Sequence, residues 1–192
     1  MSKLFEVLQS FNLRKTTEET IQTEFGKIAD IALNKGYFLV NGMTRIYPVE
    51  IEFYLYGEKK DDPEWMKDAN MIHKGKGVPY FPSEGSLYPH LYGVDVTFEK
   101  ETEEYRASFL IKAYRNTPDG KIETHATYLW EDMFGEVKFG KNGLHLDIEW
   151  IDDATVDTGK PSIDTRINFY SKGKPDTKGW RFIKAGGPQY RK

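Results

Sequence analysis

The sequence predicts an α+β domain: a curled, mainly antiparallel β-sheet or barrel with α-helices packed against it. Three observations carry that expectation. Apolar residues recur at helical spacing near the N-terminus, the period switches to two after Gly36, and most later periodic segments are short and alternating. A single domain is expected to span all 192 residues, long enough to bury a sizeable core.

The helices are expected within residues 3–35. In "TTEETIQTEFGKIADIALNKG", Thr16 and Glu19 have the spacing of a capping box. Ile21, Phe25, Ile28 and Ala32 then share one face, and Gly36 suits a C-terminal stop. Asn41-Gly42 reads as a hairpin turn leading into "YPVEIEFYLYG". Written as a strand, that stretch puts Val49, Ile51, Phe53 and Leu55 on one face and Glu50, Glu52, Tyr54 and Tyr56 on the other. A solvated sheet face and the wall of an active-site cleft both fit this pattern.

Residues 57–86 are rich in Gly, Pro, Asp and Lys, and so long an irregular segment is expected to be a functional loop. Strands return in "LYGVDVTFE", with Val94, Val96 and Phe98 on one face, and in "YRASFLIKAYR". "TPDGK" is a turn and "ATYLWEDMFGE" a short helix. In "GLHLDIEWID" the residues Leu144, Leu146, Ile148 and Trp150 share a face, and "TRINFYSKG" and "GWRFIKAGG" read as two final strands. Phe53, Trp130, Trp150 and Trp180 are expected in the core, whereas Trp65, inside the polar loop, is a candidate ligand contact.

Composition excludes several classes. There is no cysteine, so disulfides and thiolate metal sites are ruled out. No apolar run approaches a membrane span, and the expectation is a cytoplasmic, soluble monomer without a membrane partner. The net charge of −3 is unevenly placed: residues 172–192 carry +6, which leaves −9 elsewhere. This basic C-terminal segment suits either contact with phosphates or a solvated tail. GxSxG, Walker and GxGxxG motifs are missing, and "KGKG" is too short for a phosphate cradle, so no cofactor is expected. His73, His90 and Asp95 could form a His/His/Asp metal site, but no HxH, HxxxH or HxxE spacing supports one, and no metal is expected.

The carboxylates are more informative. Glu50 and Glu52 stand about 7 Å apart along one strand face. Neighbouring acids can push one pKa upward, towards a general base. Tyr54 and Tyr56 add flat surfaces, which suit a pocket that holds a planar ring and activates a water. A one-residue bulge would decide whether Glu50 or Glu52 points into that pocket.

"RIYPVEIEFYLYG" resembles the "IVETEAYLG" element of the alkyladenine (methylpurine) DNA glycosylase family. "GSLYPHLYGVDVTF" is similar to that family's "GTLYVYLIYGMYFCMN", and "ASFLIKAY" to its "ACVLLRAL". "ATYLWEDMFG" stands where the family has a "GPGKLCQALGI" helix, and "TRINF…GWRFIKAGGP" looks like its closing "RIGI…PWRFYLRGNP". The five segments keep the family's order across roughly residues 28–188. The resemblance implies the family's curled-sheet fold and a monofunctional base-excision DNA glycosylase. Such an enzyme binds double-stranded DNA, flips a damaged or modified purine out and hydrolyses its N-glycosidic bond.

It further implies roles residue by residue. Glu52 would activate the water, Tyr54 and His73 would flank the extruded base, and Tyr92 would wedge into the duplex. Lys112, Glu50 and Arg181 would support the site or meet phosphate. The chain departs from the family in a longer stretch between Tyr54 and His73, in a wedge loop containing Pro89-His90, and near Thr97 or Glu99, where the family's asparagine would fall. The acidic "FEKETEE" follows directly, and a DNA backbone would repel it at close range. The alternatives are a non-catalytic nucleic-acid-, nucleotide- or protein-binding protein on the same scaffold, and hydrolysis of an N-glycosidic bond in a free nucleoside or cofactor.

Overall fold

The computed structural model describes residues 1–188 except 75–76, 82–83, 136–137, 141–142, 168–169 and 172–173. Helices α1 (Lys3–Ser10) and α2 (Ile21–Asn34) open the chain, and α3 (Ala126–Phe134) lies later. The strands are β1 (Gly36–Val40), β2 (Thr44–Gly57), β3 (Leu87–His90), β4 (Gly93–Thr97), β5 (Tyr105–Arg115), β6 (Lys138–Gly140), β7 (Gly143–His145), β8 (Ile148–Asp152), β9 (Ser162–Asp164), β10 (Tyr170–Ser171), β11 (Lys174–Pro175) and β12 (Arg181–Ile183). Among the described residues, eight of these form one sheet, with the path β3-β4-β5-β2-β1-β8 and with β12 joining β2 to β9. Its pairings among the described residues are antiparallel. The architecture is therefore α+β, a curled antiparallel half-barrel with three helices.

The long strand β2 organises the sheet. One edge pairs along its length with β5, from Tyr47 to Gly57. The other edge changes partner, taking β1 at Thr44–Ile46 and β12 at Glu50–Glu52. A register shift in the β2–β5 ladder between Pro48 and Ile51 marks a bulge around Val49 and Glu50. Bulges increase local twist and help a sheet to curl.

The apolar face of β2 meets α2 as the alternation requires. Phe25 stacks on Phe53 at 4.3 Å between ring centroids, and Phe53 meets Phe182 edge-on at 5.5 Å. Ile51, Phe53, Leu55, Ile28 and Ala32 are all buried in this core. The opposite face is buried as well: Glu50, Glu52 and Tyr54 are at most 8% exposed, so the solvated-face reading fails. The 57–86 loop and the segment after β9 cover it, with Arg166 reaching both the Phe53 carbonyl and Asp68.

Several local expectations shift. Helix α2 starts at Ile21 after a Thr17–Thr20 turn, so Thr16 and Glu19 form no capping box. Gly36 opens β1, where a Cβ would stand 2.1 Å from the Ile151 carbonyl oxygen, so close strand packing demands glycine there. Asn41 and Gly42 have φ of 50° and 69°, as the hairpin turn needs. The strand expected from Leu91 is present as β4 but starts at Gly93, pairing with β3 in a hairpin whose tip is Leu91-Tyr92. "GLHLDIEWID" breaks into β7 and β8, leaving Leu146 exposed between them; of "TRINFYSKG", residues 165–167 are not strand, Tyr170–Ser171 form β10, and 168–169 and 172–173 lie outside the described residues. Trp180 is buried and Trp150 packs on the core, but Trp130 is 38% exposed and donates to the Gly93 carbonyl at 3.1 Å. Trp65 packs against the core and away from the pocket described next. No helix among the described residues is long and apolar enough to cross a membrane.

Candidate functional site

A pocket of about 330 Å³ opens where β2, β5, the β3–β4 tip and the long loop meet. Glu52, Tyr54, Leu110, Lys112 and Asp95 line it from the sheet, Asn70 and Ile72 from the loop, His90 and Tyr92 from the hairpin, and Ile167 from the segment after β9. Register explains the convergence. Glu52 pairs with Leu110 and Leu110 with Asp95, so the two carboxylates sit in one cross-strand row with a leucine between them. Adjacent strands are about 4.8 Å apart, which puts their backbones roughly 10 Å from one another.

Glu52 is 1% exposed. One oxygen accepts from the Tyr54 hydroxyl at 2.9 Å and the other from the Ile167 N–H at 3.1 Å. Each oxygen keeps a further lone pair for a ligand or a water. Burial, and then the Glu52 charge, push the Tyr54 phenol well above its ordinary range, so it acts as a donor to the carboxylate. Glu50 behaves differently. The bulge and β12 aim it at Arg181, whose guanidinium donates to it at 2.6 Å and also reaches Asp164 at 3.4 Å. Arg181 is 3% exposed and so is a buried structural cation, not a phosphate contact.

His73 is placed differently from the expectation. It is 2% exposed, beneath the pocket, with Nδ1 2.8 Å from Glu99 and Nε2 3.5 Å from Asp95. His90 lines the wall instead, its Nε2 3.2 Å from Asp95 and its Nδ1 accepting from the Tyr92 N–H. His73, His90 and Asp95 thus do come together, but both histidines direct Nε2 at the carboxylate, and no group of three or more His, Asp or Glu able to hold a metal occurs among the described residues. Burial works against charging Asp95, but the bonds from His73 and His90 outweigh it and hold the carboxyl below its ordinary value. Burial likewise opposes protonation of His73, yet Asp95 and Glu99 together raise its pKa.

This chain of charges continues outward and pins the loop. Glu99 accepts from Arg106 at 3.2 Å and from the Phe81 N–H at 2.7 Å, and Arg106 donates to the carbonyls of Val78 and Pro79. Glu58 completes the clasp at 2.8 Å from Arg106. Because the folded pKa of His73 lies above the ordinary 6.5, its contribution is full below that value and is lost as pH rises through the folded one. His73→Gln is therefore expected to destabilise the fold by about 3 kcal/mol at pH ~6, and by less at pH ~9. Urea unfolding of both proteins at the two pH values checks this; a difference that grows with pH would contradict it.

The β3–β4 tip projects into solvent: Leu91 is 87% and Tyr92 69% exposed. Gly93, directly after it, has φ of 144° and passes so near β5 that a Cβ would lie 2.8 Å from Leu110. The acidic "FEKETEE" lies at the other end of β4, in the turn to β5, so it does not crowd the tip. No family model matches the chain, nor does any curated protein or solved structure. The basic C-terminal segment is largely internal where it is described. Lys178 donates to the Trp65 carbonyl and lies 4.1 Å from the Trp180 ring centroid, and Lys184 is buried and donates to the carbonyls of Leu33 and Val156. Lys172, Arg191 and Lys192 lie outside the described residues.

The sequence reading missed Asn70, Ile72, Leu110 and Ile167 as pocket residues. Only Leu110 carried a usable signal, since it shares the β5 face of Lys112. The others are placed by a loop whose course depends on buried partners far along the chain.

Proposed function

We propose that this protein hydrolyses the N-glycosidic bond of a damaged or modified purine flipped out of DNA, as a divergent relative of the alkyladenine DNA glycosylases. The observation that carries the reading is Glu52: a buried carboxylate on the wall of a pocket, oriented by a tyrosine hydroxyl and a backbone N–H, below an exposed tyrosine tip. A pocket of this size suits a planar base, with Tyr54, Leu110, Ile72 and His90 giving it flat and apolar surroundings.

In this mechanism a water attacks the sugar C1′ while Glu52 takes its proton. The C1′–N bond breaks, its electron pair leaves with the base, the base takes a proton from solvent, and Glu52 returns its own proton to solvent. The products are a free base and an abasic site, with the strand left uncut. Extruding the nucleotide costs a few kcal/mol of unstacking. Tyr92, entering the stack, would offset part of that, and Lys112 would meet a flanking phosphate. Asp95 would stay ionised and favour positive charge developing on the sugar in the transition state.

The inward placement of Lys178, Arg181 and Lys184 favours a second reading, in which the same pocket takes a free nucleoside or nucleotide. One assay addresses both. Wild type and Glu52→Gln are incubated with duplex and single-stranded oligonucleotides carrying hypoxanthine or ethenoadenine, and with the free nucleosides. Alkali-labile sites from wild type alone are expected. Base release confined to nucleosides would select the second reading, and no release from any substrate would overturn both.

A further inference from the structure

The polar groups lining the pocket are mostly committed to one another. Glu52 receives Tyr54 and Ile167, His90 engages Asp95 and the Tyr92 N–H, and Asp95 also receives Ser108 at 3.0 Å. Among the described residues, three polar pocket side chains make no hydrogen bond within the protein: the Asn70 amide, the Lys112 ammonium and the hydroxyl of Tyr92, which stands at the exposed tip. Lys112 is a point charge on a flexible stem. Asn70 offers a donor and an acceptor side by side in one plane.

Asn70 is also firmly held. Its N–H donates to Asp68 Oδ1 at 3.1 Å, and Asp68 is buried, ion-paired to Arg166 and bonded through its own N–H to the Leu55 carbonyl. Met71, next in sequence, is 1% exposed and packs with Tyr54 and Leu110, while His73 anchors the loop two residues further on. Buried residues thus bracket Asn70, and the loop presents its amide and Ile72 to the pocket. A group held by buried anchors at a pocket wall is preorganised for recognition.

We infer that Asn70 reads the hydrogen-bonding edge of the bound base, selecting purines that keep an adjacent donor and acceptor and disfavouring those whose edge is bridged. This rests on the proposed function only for the identity of the ligand as a base. Hypoxanthine offers N1–H beside O6, which matches the amide in one orientation; adenine offers N6–H beside a ring nitrogen, which matches it flipped. In 1,N6-ethenoadenine the bridge joins N1 and N6 and removes the donor, so one end of the amide would be left unpaired against the ligand. The sheet wall offers no second coplanar donor–acceptor pair: Lys112 can only donate, and the carboxylates already serve His90, His73, Ser108, Tyr54 and Ile167.

The test measures binding, so that it stands apart from hydrolysis. Free hypoxanthine and 1,N6-ethenoadenine are titrated into the intact protein by calorimetry, for wild type, Asn70→Ala and Lys112→Met. Wild type is expected to prefer hypoxanthine by about tenfold to a hundredfold, the usual range for a bidentate amide–base pair. Asn70→Ala should abolish the preference by weakening hypoxanthine alone, whereas Lys112→Met, which removes a pocket donor but no donor–acceptor pair, should change both affinities alike and so keep their ratio. The Asn70 side chain is half-exposed and forms no internal bond, so an unchanged melting temperature is the control for folding. Equal affinities in wild type, failure of wild type to bind either base, a preference that survives in Asn70→Ala, or one lost in Lys112→Met would each overturn the inference. Base selection without any oligonucleotide cleavage would uphold it while removing the glycosylase reading.

Discussion

Replacing Arg166 by methionine is expected to lower folding stability by about 3–5 kcal/mol, the range for breaking one side of a buried ion pair. The guanidinium is buried between Asp68 and Asp176, the latter at 2.7 Å, and donates to the Phe53 carbonyl at 3.0 Å. It also lies about 5 Å from the ring centroids of both Tyr54 and Trp180. Methionine fills similar space, yet it leaves two carboxylates and a carbonyl without their donor in a water-poor site. For a chain of this length the loss corresponds to roughly 6–20 °C in melting temperature. Thermal and urea unfolding would measure it. A loss below ~1 kcal/mol would mean that water reaches these carboxylates and that the loop is not anchored there. Because Asp68 holds Asn70, the variant should also lose base selectivity at temperatures where it remains folded.

The second large effect belongs to Glu52. Glu52→Gln is expected to reduce the single-turnover rate of base release by about 10²–10⁴-fold, the usual contribution of a positioned general base. Binding should change little, because the amide is isosteric and can still accept the Ile167 N–H and pair with the Tyr54 hydroxyl. The contrast is with Tyr54→Phe, which keeps the carboxylate but removes one of the two bonds that orient it, and should slow the reaction less. A rate that survives Glu52→Gln would remove this carboxylate from the mechanism. Glu50 would not replace it in the pocket, since its carboxylate is held against Arg181 at 2.6 Å.

The placement of Glu50 shows where sequence reasoning reaches its limit. Alternation along β2 put both glutamates on one face, and both are indeed on the face opposite Phe53. Choosing between them depended on a bulge and on a strand 131 residues away, which delivers Arg181 to Glu50. His73 is a similar case. Its sequence neighbourhood is polar and Gly-rich, but Asp95 and Glu99 on and beside β4 draw it beneath the floor and leave the wall to His90. Trp130 reads as core on a short amphipathic helix, yet only Leu129 and Met133 of α3 are buried, and its indole caps the Gly93 carbonyl at the surface.

What the sequence determined by itself is the local grammar. Period-two and period-3.6 patterns specify β2, β4, β5 and α2, Asn41-Gly42 specifies the first hairpin turn, and the composition of residues 57–86 marks an irregular loop. These signals are local because they arise from backbone sterics and from the burial of one face. Only the tertiary structure decided that the second face of β2 is covered, that Glu52 lines the pocket, and that most described cations of the C-terminal segment point inward. Buried charges must find partners, and those partners, such as Arg166 for Asp68 and Ile167 for Glu52, come from positions about a hundred residues away that no local pattern encodes.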